Sequence, residues 1–226
     1  MSLILCIETS AKVCSVAISE DGSCKSYLKS ENLMHHGKEI TVLIEKCLKS
    51  CNLSITQLDG VALSSGPGSY TGLRVASSCA KGICFALDIP LIAIDTLSVL
   101  AYSQLIDKKA FEVAYYIPMV DARRDEVYYC VFDKNLVRVE QIDNQILKKD
   151  SFIDFANITI CGDGAHKAQQ IMEHPSANYF GGPALAQDMV ALSFKYYKEK
   201  KFEDLAYFNP IYHKSPNITQ SKKPLF

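Results

Sequence analysis

Near the start of the chain, SLILCIE (2–8) is apolar almost without a break, and VCSVAIS (13–19) repeats the pattern. Both read as buried strands joined by a tight hairpin turn at ETSAK. Asp21-Gly22 signals a further turn, so a third strand is expected near 23–29. From about His36 to Cys51, Ile40, Leu43, Ile44, Cys47, Leu48 and Cys51 fall at i, i+3, i+4, i+7, i+8 and i+11, the stripe of an amphipathic helix. The pattern then predicts a strand at 59–64, a helix over about 70–87, a strand at 91–95 and a helix over about 96–106. In the second half, EVAYYIPMV and VYYCVF read as strands around the polar turn DARRDE. More strand is expected around 136–146, followed by a short helix, a strand at 157–161, and helices near 164–173 and 183–199.

The order βββαβαβα is that of half an actin-like, ribonuclease-H-like fold. The expectation is an α/β chain of two lobes, with mixed sheets flanked by helices. The lobes are set at 1–105 and 106–226, around a boundary near 100–110. The last helix is expected to pack back on the first lobe, and the tail from about 213, with two prolines and little apolar pattern, to be loosely held.

Composition narrows the classes. With 226 residues, 48% of them hydrophobic, the chain can bury a proper core. A formal net charge of −1 gives no whole-molecule field for nucleic acid. No apolar run nears the roughly 20 residues of a membrane span, and MSLILCIETS lacks the basic start of a signal peptide. Nine scattered cysteines without a C-x-x-C pair point to a reducing, cytoplasmic setting, where the sequon at Asn217 has no meaning.

The stretch SSGPGSYTGLR (64–74) sits between a strand and a helix, where glycine-rich loops often hold phosphate. It has no Lys-Ser or Lys-Thr after its last glycine, so it is no Walker loop. Gly66, Gly68 and Gly72 are one residue too widely spaced for G-x-G-x-x-G. Pro67 removes a backbone N–H from any anion nest. Two readings stand. The loop only turns the chain, with Ser69 or Thr71 capping the helix and Tyr70 folding onto the core, or Gly66, Gly68, Ser69, Thr71 and Arg74 contact an anion or partner. In actin-like ATPases an acidic hairpin holds metal and phosphates, and Glu8-Thr9-Ser10 occupies that place. The second loop would be Cys161-Gly162-Asp163-Gly164, and Gly181-Gly182 could serve an adenosine, although a helix start at Pro183 explains that pair too. The set reads as a degenerate nucleotide site at Glu8, Thr9, Ser10 and Asp163. Arg123 and Arg124 belong either to a self-compensated turn or to a contact with a partner's phosphate or carboxylate. His35 and His36 have Glu39 and Ile40 four residues on, so no helical metal pair forms, and no metal site is expected. No Ser-His-Asp set with an elbow is present.

Taken together, ILCIETSAKVCSVAI, MHHGKEITVLIEKCL, SSGPGSYTGLRVASSCAKGICFALDIPLIAIDTLSVLA and PMVDARRDEVYYCVF resemble the TsaB, or YeaZ, family. The likeness is near-continuous over residues 1–130 and thins to CGDGA and the PALA helix beyond. It implies a non-catalytic scaffold or activator subunit for forming threonylcarbamoyladenosine in tRNA. Its partners would be a catalytic TsaD-like subunit, which carries the metal-binding His-x-x-x-His that this sequence lacks, and a TsaE-like ATPase. A TsaC-type enzyme would supply the threonylcarbamoyl-adenylate. ATP and metal would belong to the partners, and tRNA would be met through the complex. The family's subunit interface is a bundle of the 36–51 and 70–87 helices. His36, Ile40, Leu43, Leu73, Ala76, Ala80 and Cys84 are expected there, and the same face would form a two-fold dimer when the chain is alone. The small residues Ala76, Ala80 and Cys84 recur at i, i+4 and i+8 and suit a close partner helix, with Leu73, Ile83 and Leu87 available for the chain's own sheet. Two departures stand out: Glu8 where the family has Asp, and FNPIYHKS in place of a Tyr-Leu-Arg ending. The rival classes are an actin-like ATPase or carbamoyl or acyl transferase with its own nucleotide site, and a metalloprotease-like protein.

Overall fold

The computed structural model describes residues 1–30, 36–106 and 113–213. Strands β1 (Leu3–Glu8), β2 (Ser15–Glu20) and β3 (Ser23–Lys29) form an antiparallel meander. Helix α1 (His36–Ser50) leads to β4 (Gly60–Ser64), which pairs parallel to β1. Helix α2 (Tyr70–Leu87) leads to β5 (Leu91–Ile94), parallel to β4, and α3 (Thr96–Ile106) follows. The second half repeats the scheme. Strands β6 (Tyr115–Asp121), β7 (Glu126–Asp133) and β8 (Arg138–Ile146) are antiparallel, and β9 (Ile158–Gly162) and β10 (Ala177–Gly181) add in parallel on the other side of β6, with α4 (Ala165–Ile171) between them. The two five-stranded sheets run β3-β2-β1-β4-β5 and β10-β9-β6-β7-β8, the same order counted from each half's first strand. This is the expected two-lobed, actin-like α/β fold.

Strand β1 is buried on both faces, which is why LILCIE shows no alternation. Leu3, Leu5 and Ile7 face α1 and α2, in one core with Ile40, Ile44, Cys47 and Ala80. Ile4 and Cys6 face the opposite way, toward helix α5 (Val190–Lys198). There the Cys6 thiol donates to Ser193 Oγ at 3.4 Å, and the Ala186 N–H donates to Ser15 Oγ at 2.9 Å. Helix α3 lies on the other sheet, where the Cys161 thiol donates to the Leu100 carbonyl at 3.4 Å. Each half therefore lays its last helix on the other half's sheet. An ion pair fastens the seam: Arg138 of β8 meets Asp95 at 2.7 Å, and Asp95 also caps α3 by accepting the Ser98 N–H at 2.8 Å. Among the described residues no helix is long and apolar enough to cross a membrane.

Three local expectations fail. Strand β10 has no matching pattern in the sequence; Ala177 to Phe180 are half-buried and Gly181 is exposed, so the stretch neither alternates nor runs apolar. The short helix expected after β8 is a series of turns, with Phe152 at φ 61° and Asn157 at φ 53°. The helix expected from 183 begins as a 3-10 turn at Ala186 and becomes α-helical at Val190. The expected lobe boundary adjoins residues 107–112, and the expected loose tail falls on 214–226; both stretches lie outside the described residues.

Candidate functional site

The glycine loop packs against the β1–β2 turn. Ser69 caps α2 by accepting the Gly72 N–H at 3.2 Å. The loop then meets the turn closely: the Ser69 N–H donates to the Ser10 carbonyl at 2.6 Å, and the Thr9 side-chain Oγ1 donates to the Gly72 carbonyl at 2.8 Å. A Cβ on Gly68 would stand 2.5 Å from the Ser10 carbonyl oxygen, and one on Gly72 would overlap the Thr9 carbonyl. Both glycines are thus required by a close approach of two chain segments. Gly66, with φ +112°, is enclosed in turn: its carbonyl accepts the Thr96 N–H at 2.9 Å, and the Ile211 N–H donates to Ser65 O at 2.8 Å beside it. Tyr70 does not fold onto the core. It is 46% exposed and stacks on Tyr212, ring centroids 4.7 Å apart.

Glu8 is fully buried. One carboxylate oxygen accepts the Ser10 N–H at 2.6 Å, and the other accepts the Ser64 hydroxyl. Burial pushes its pKa up, against the lowering effect of these bonds. Thr9 and Ser10 are buried with it. The residues at this turn do not fit a metal-nucleotide site: the Glu8 carboxyl is fully buried, each of its oxygens already accepts a bond from the chain, and Gly68 and Gly72 close on the Ser10 and Thr9 carbonyls. Asp163 likewise serves the chain's own backbone. Its Oδ1 accepts the Asp121 N–H at 2.9 Å and burial raises its pKa, while Gly162 and Gly164 lie against Met119. Gly181 lies under the His166 ring, where a Cβ would stand 2.2 Å from Nε2, whereas the space over Gly182 is open; no helix starts at Pro183. Among the described residues no group of three or more His, Cys, Asp or Glu is placed to hold a metal.

Arg123 and Arg124 are exposed on the β6–β7 turn, both with left-handed backbone at φ 69° and 53°. Of the turn's acids, Asp121 accepts the Arg123 N–H at 2.6 Å and pairs with Lys167 of α4 at 2.6 Å.

The expected interface residues need correcting. Ile40, Leu43, Leu73, Ala76, Ala80 and Cys84 are all buried in the chain's own core. Helix α2 is apolar on more than one side, and the row Ala76, Ala80 and Cys84 faces the sheet, where small side chains allow close approach. The side turned outward carries Val75, Ser78, Cys79, Gly82 and Phe85. Phe85 is 83% exposed, and the space over Gly82 is open. Val42 of α1, beside the buried stripe in sequence, is 45% exposed. Between the helices runs a groove of about 450 Å³, lined by Gly37, Ile40, Thr41, Tyr70, Val75 and Cys79 among others. The side chain of His36 lies outside the described residues. A second cleft, of about 570 Å³, lies at the seam around Asp95, Arg138, Tyr196 and Ile211. No sequence signal marked it, because its residues come from separate elements.

A family model described as TsaD, tRNA N6-adenosine threonylcarbamoyltransferase, matches residues 31–217. The chain belongs to this family. Within it the likeness is to the TsaB, or YeaZ, branch. The tRNA threonylcarbamoyladenosine biosynthesis protein TsaB of Escherichia coli is 25% identical over 232 residues, covering 98% of each chain. The TsaB of Haemophilus influenzae is 33% identical over 135 residues, which is 60% of this chain and 56% of that protein, so the match spans just over half of that relative. A tRNA N6-adenosine threonylcarbamoyltransferase of Bacillus thuringiensis is 30% identical over 124 residues, 48% of this chain and 36% of that one. In fold the chain resembles YeaZ from Pseudomonas aeruginosa, with a TM-score of 0.78 at 22% identity over 94% of this chain and all of that one. It also resembles component A of (R)-2-hydroxyglutaryl-CoA dehydratase from Acidaminococcus fermentans, with a TM-score of 0.54 at 9% identity, covering 89% of this chain and 100% of that one.

Proposed function

We propose that this chain is a non-catalytic scaffold and activator subunit in the formation of threonylcarbamoyladenosine in tRNA. It docks a TsaD-like catalytic subunit, and with it a TsaE-like ATPase, in the cytoplasm. The names of its TsaB relatives support the pathway. The observation that carries the scaffold role is the β1–β2 turn, where Glu8 and the glycine loop fill the place a nucleotide's phosphates would need. ATP and metal then belong to the partners, and tRNA is reached through the complex. The docking surface is the outward face of α1 and α2, with Phe85 and the groove beside Val75 and Cys79 in place of the buried Ala76 row. An exposed phenylalanine beside an open glycine is the kind of surface a partner helix covers. The same face serves a two-fold dimer of the free chain.

The test is reconstitution with the TsaD-like and TsaE-like proteins of the same organism. Transfer to tRNA should require this chain, and the pure chain with ATP and tRNA should show no turnover. Turnover by the pure chain that vanishes in Glu8→Gln would sink the scaffold reading and favour an enzyme with its own nucleotide site.

A further inference from the structure

Helix α2 contains two cations and no acid. Lys81 is engaged inside the chain, its Nζ donating to the carbonyls of Ala206 and Phe208 at 3.2 Å each. Arg74 is held differently. Its guanidinium carbon lies 4.4 Å from the centroid of the Tyr70 ring and 5.8 Å from that of Tyr212, and its Nε–H donates to the Tyr212 hydroxyl at 3.1 Å. Tyr212 is itself anchored through its neighbours: the Ile211 N–H is bonded to Ser65, and Phe208 is buried in the core under α2. Among the described residues no carboxylate pairs with Arg74. The group is exposed and lines the rim of the groove between α1 and α2.

A stacked guanidinium whose Nε–H is already bonded has its plane fixed, and its two terminal amino groups remain to be used. That is the fork that binds a carboxylate through two parallel bonds, and its rotamer freedom is already given up before a partner arrives. We propose that Arg74, set by Tyr70 and Tyr212, is the anchor of the α1–α2 docking surface and receives the carboxylate of an Asp or Glu on an apolar helix of the partner protein. The inference rests on the docking reading above and adds the chemistry of recognition. The apolar groove beside the arginine favours a protein carboxylate over an RNA phosphate, since a phosphate backbone has no use for apolar walls.

The experiment is titration of the full chain with the TsaD-like subunit of the same organism, for wild type, Arg74→Gln, Arg74→Lys and Tyr212→Phe, with Tm of each free chain as the folding control. Arg74→Gln should weaken binding by at least about tenfold with Tm unchanged. Arg74→Lys should recover only part of that loss, because an ammonium cannot make the paired bonds. Tyr212→Phe should weaken binding by a few-fold. Wild-type binding matched by Arg74→Gln overturns the anchor and leaves the docking reading standing. No binding by wild type overturns both. If Arg74→Gln instead weakens binding to tRNA alone and leaves the subunit's affinity unchanged, the ligand is a phosphate and the carboxylate assignment is wrong.

Discussion

Two glycine-to-alanine changes near and within one helix should move stability in opposite directions. At Gly68 an alanine Cβ would stand 2.5 Å from the Ser10 carbonyl oxygen, 2.6 Å from its Cβ and 2.9 Å from its Cα. Backbone cannot rotate away as a flexible side chain could. To reach ordinary contact near 3.4 Å, the loop must retreat from the β1–β2 turn by about 0.9 Å. Forced overpacking of this kind costs about 1–3 kcal/mol. The retreat also strains the Ser69–Ser10 and Thr9–Gly72 hydrogen bonds, each worth about 0.5–1.5 kcal/mol net. The total loss is about 2–6 kcal/mol, which for a chain of this size lowers Tm by about 5–20 °C. At Gly82 a Cβ would meet nothing within 4 Å, so alanine there only removes glycine's entropic penalty in a helix, a gain of about 0.5–1 kcal/mol. Thermal melts followed by circular dichroism in the far ultraviolet read both on the same chain. A Gly68→Ala variant that melts with wild type would show that the loop and the turn are not pressed together, and would refute the closed hairpin.

Ala76→Glu should unfold the free chain, because Ala76 is 1% exposed against the chain's own sheet and an unpaired buried charge costs about 3–5 kcal/mol; a variant that melts normally would return Ala76 to the surface. Glu8→Gln should keep the fold, since an amide can accept the Ser10 N–H and donate to Ser64. Because Glu8's folded pKa is raised above 4.5, wild type should gain stability relative to Glu8→Gln as pH falls from above the folded value toward 4.5, and lose that gain as pH rises again; parallel pH–stability curves for the two would refute the raised pKa. Arg138→Met should cost about 1–3 kcal/mol, because it leaves Asp95 half-buried with only its Ser98 bonds, and limited proteolysis should then cut the seam between the halves faster than in wild type. Equal cutting and equal Tm would show that the ion pair does not hold the seam.

Much of the fold was legible in the chain because its signals are local. The i, i+3, i+4 stripe of Ile40 to Cys47 and the unbroken run of LILCIE each follow from burial of one element. The glycine loop was half legible. Its spacing excluded the phosphate motifs, but the contact that requires Gly68 and Gly72 is with Thr9 and Ser10, some sixty residues away, and no local pattern carries it. The side of α2 turned outward is not legible in the sequence for a related reason. Ala76, Ala80 and Cys84 form as good a stripe as Val75, Cys79 and Gly82, and only the sheet beneath decides between them. Tyr212 gave no signal, since its role depends on a segment folding back across the first lobe onto Arg74.

The exchange of last helices has a consequence for synthesis on the ribosome. The first sheet has all of its strands once β5 ends at Ile94, yet the helix that covers Ile4, Cys6 and Ala17 lies at 190–198, behind a 3-10 turn that begins at Ala186. About 90 residues separate the two events. At roughly 5–20 residues per second, the nascent first lobe presents an open apolar sheet face for about 5–20 s. During that interval the emerging chain is a client for whatever holds unfinished sheets apart, and a gene cut after the first lobe makes a fragment that never leaves it.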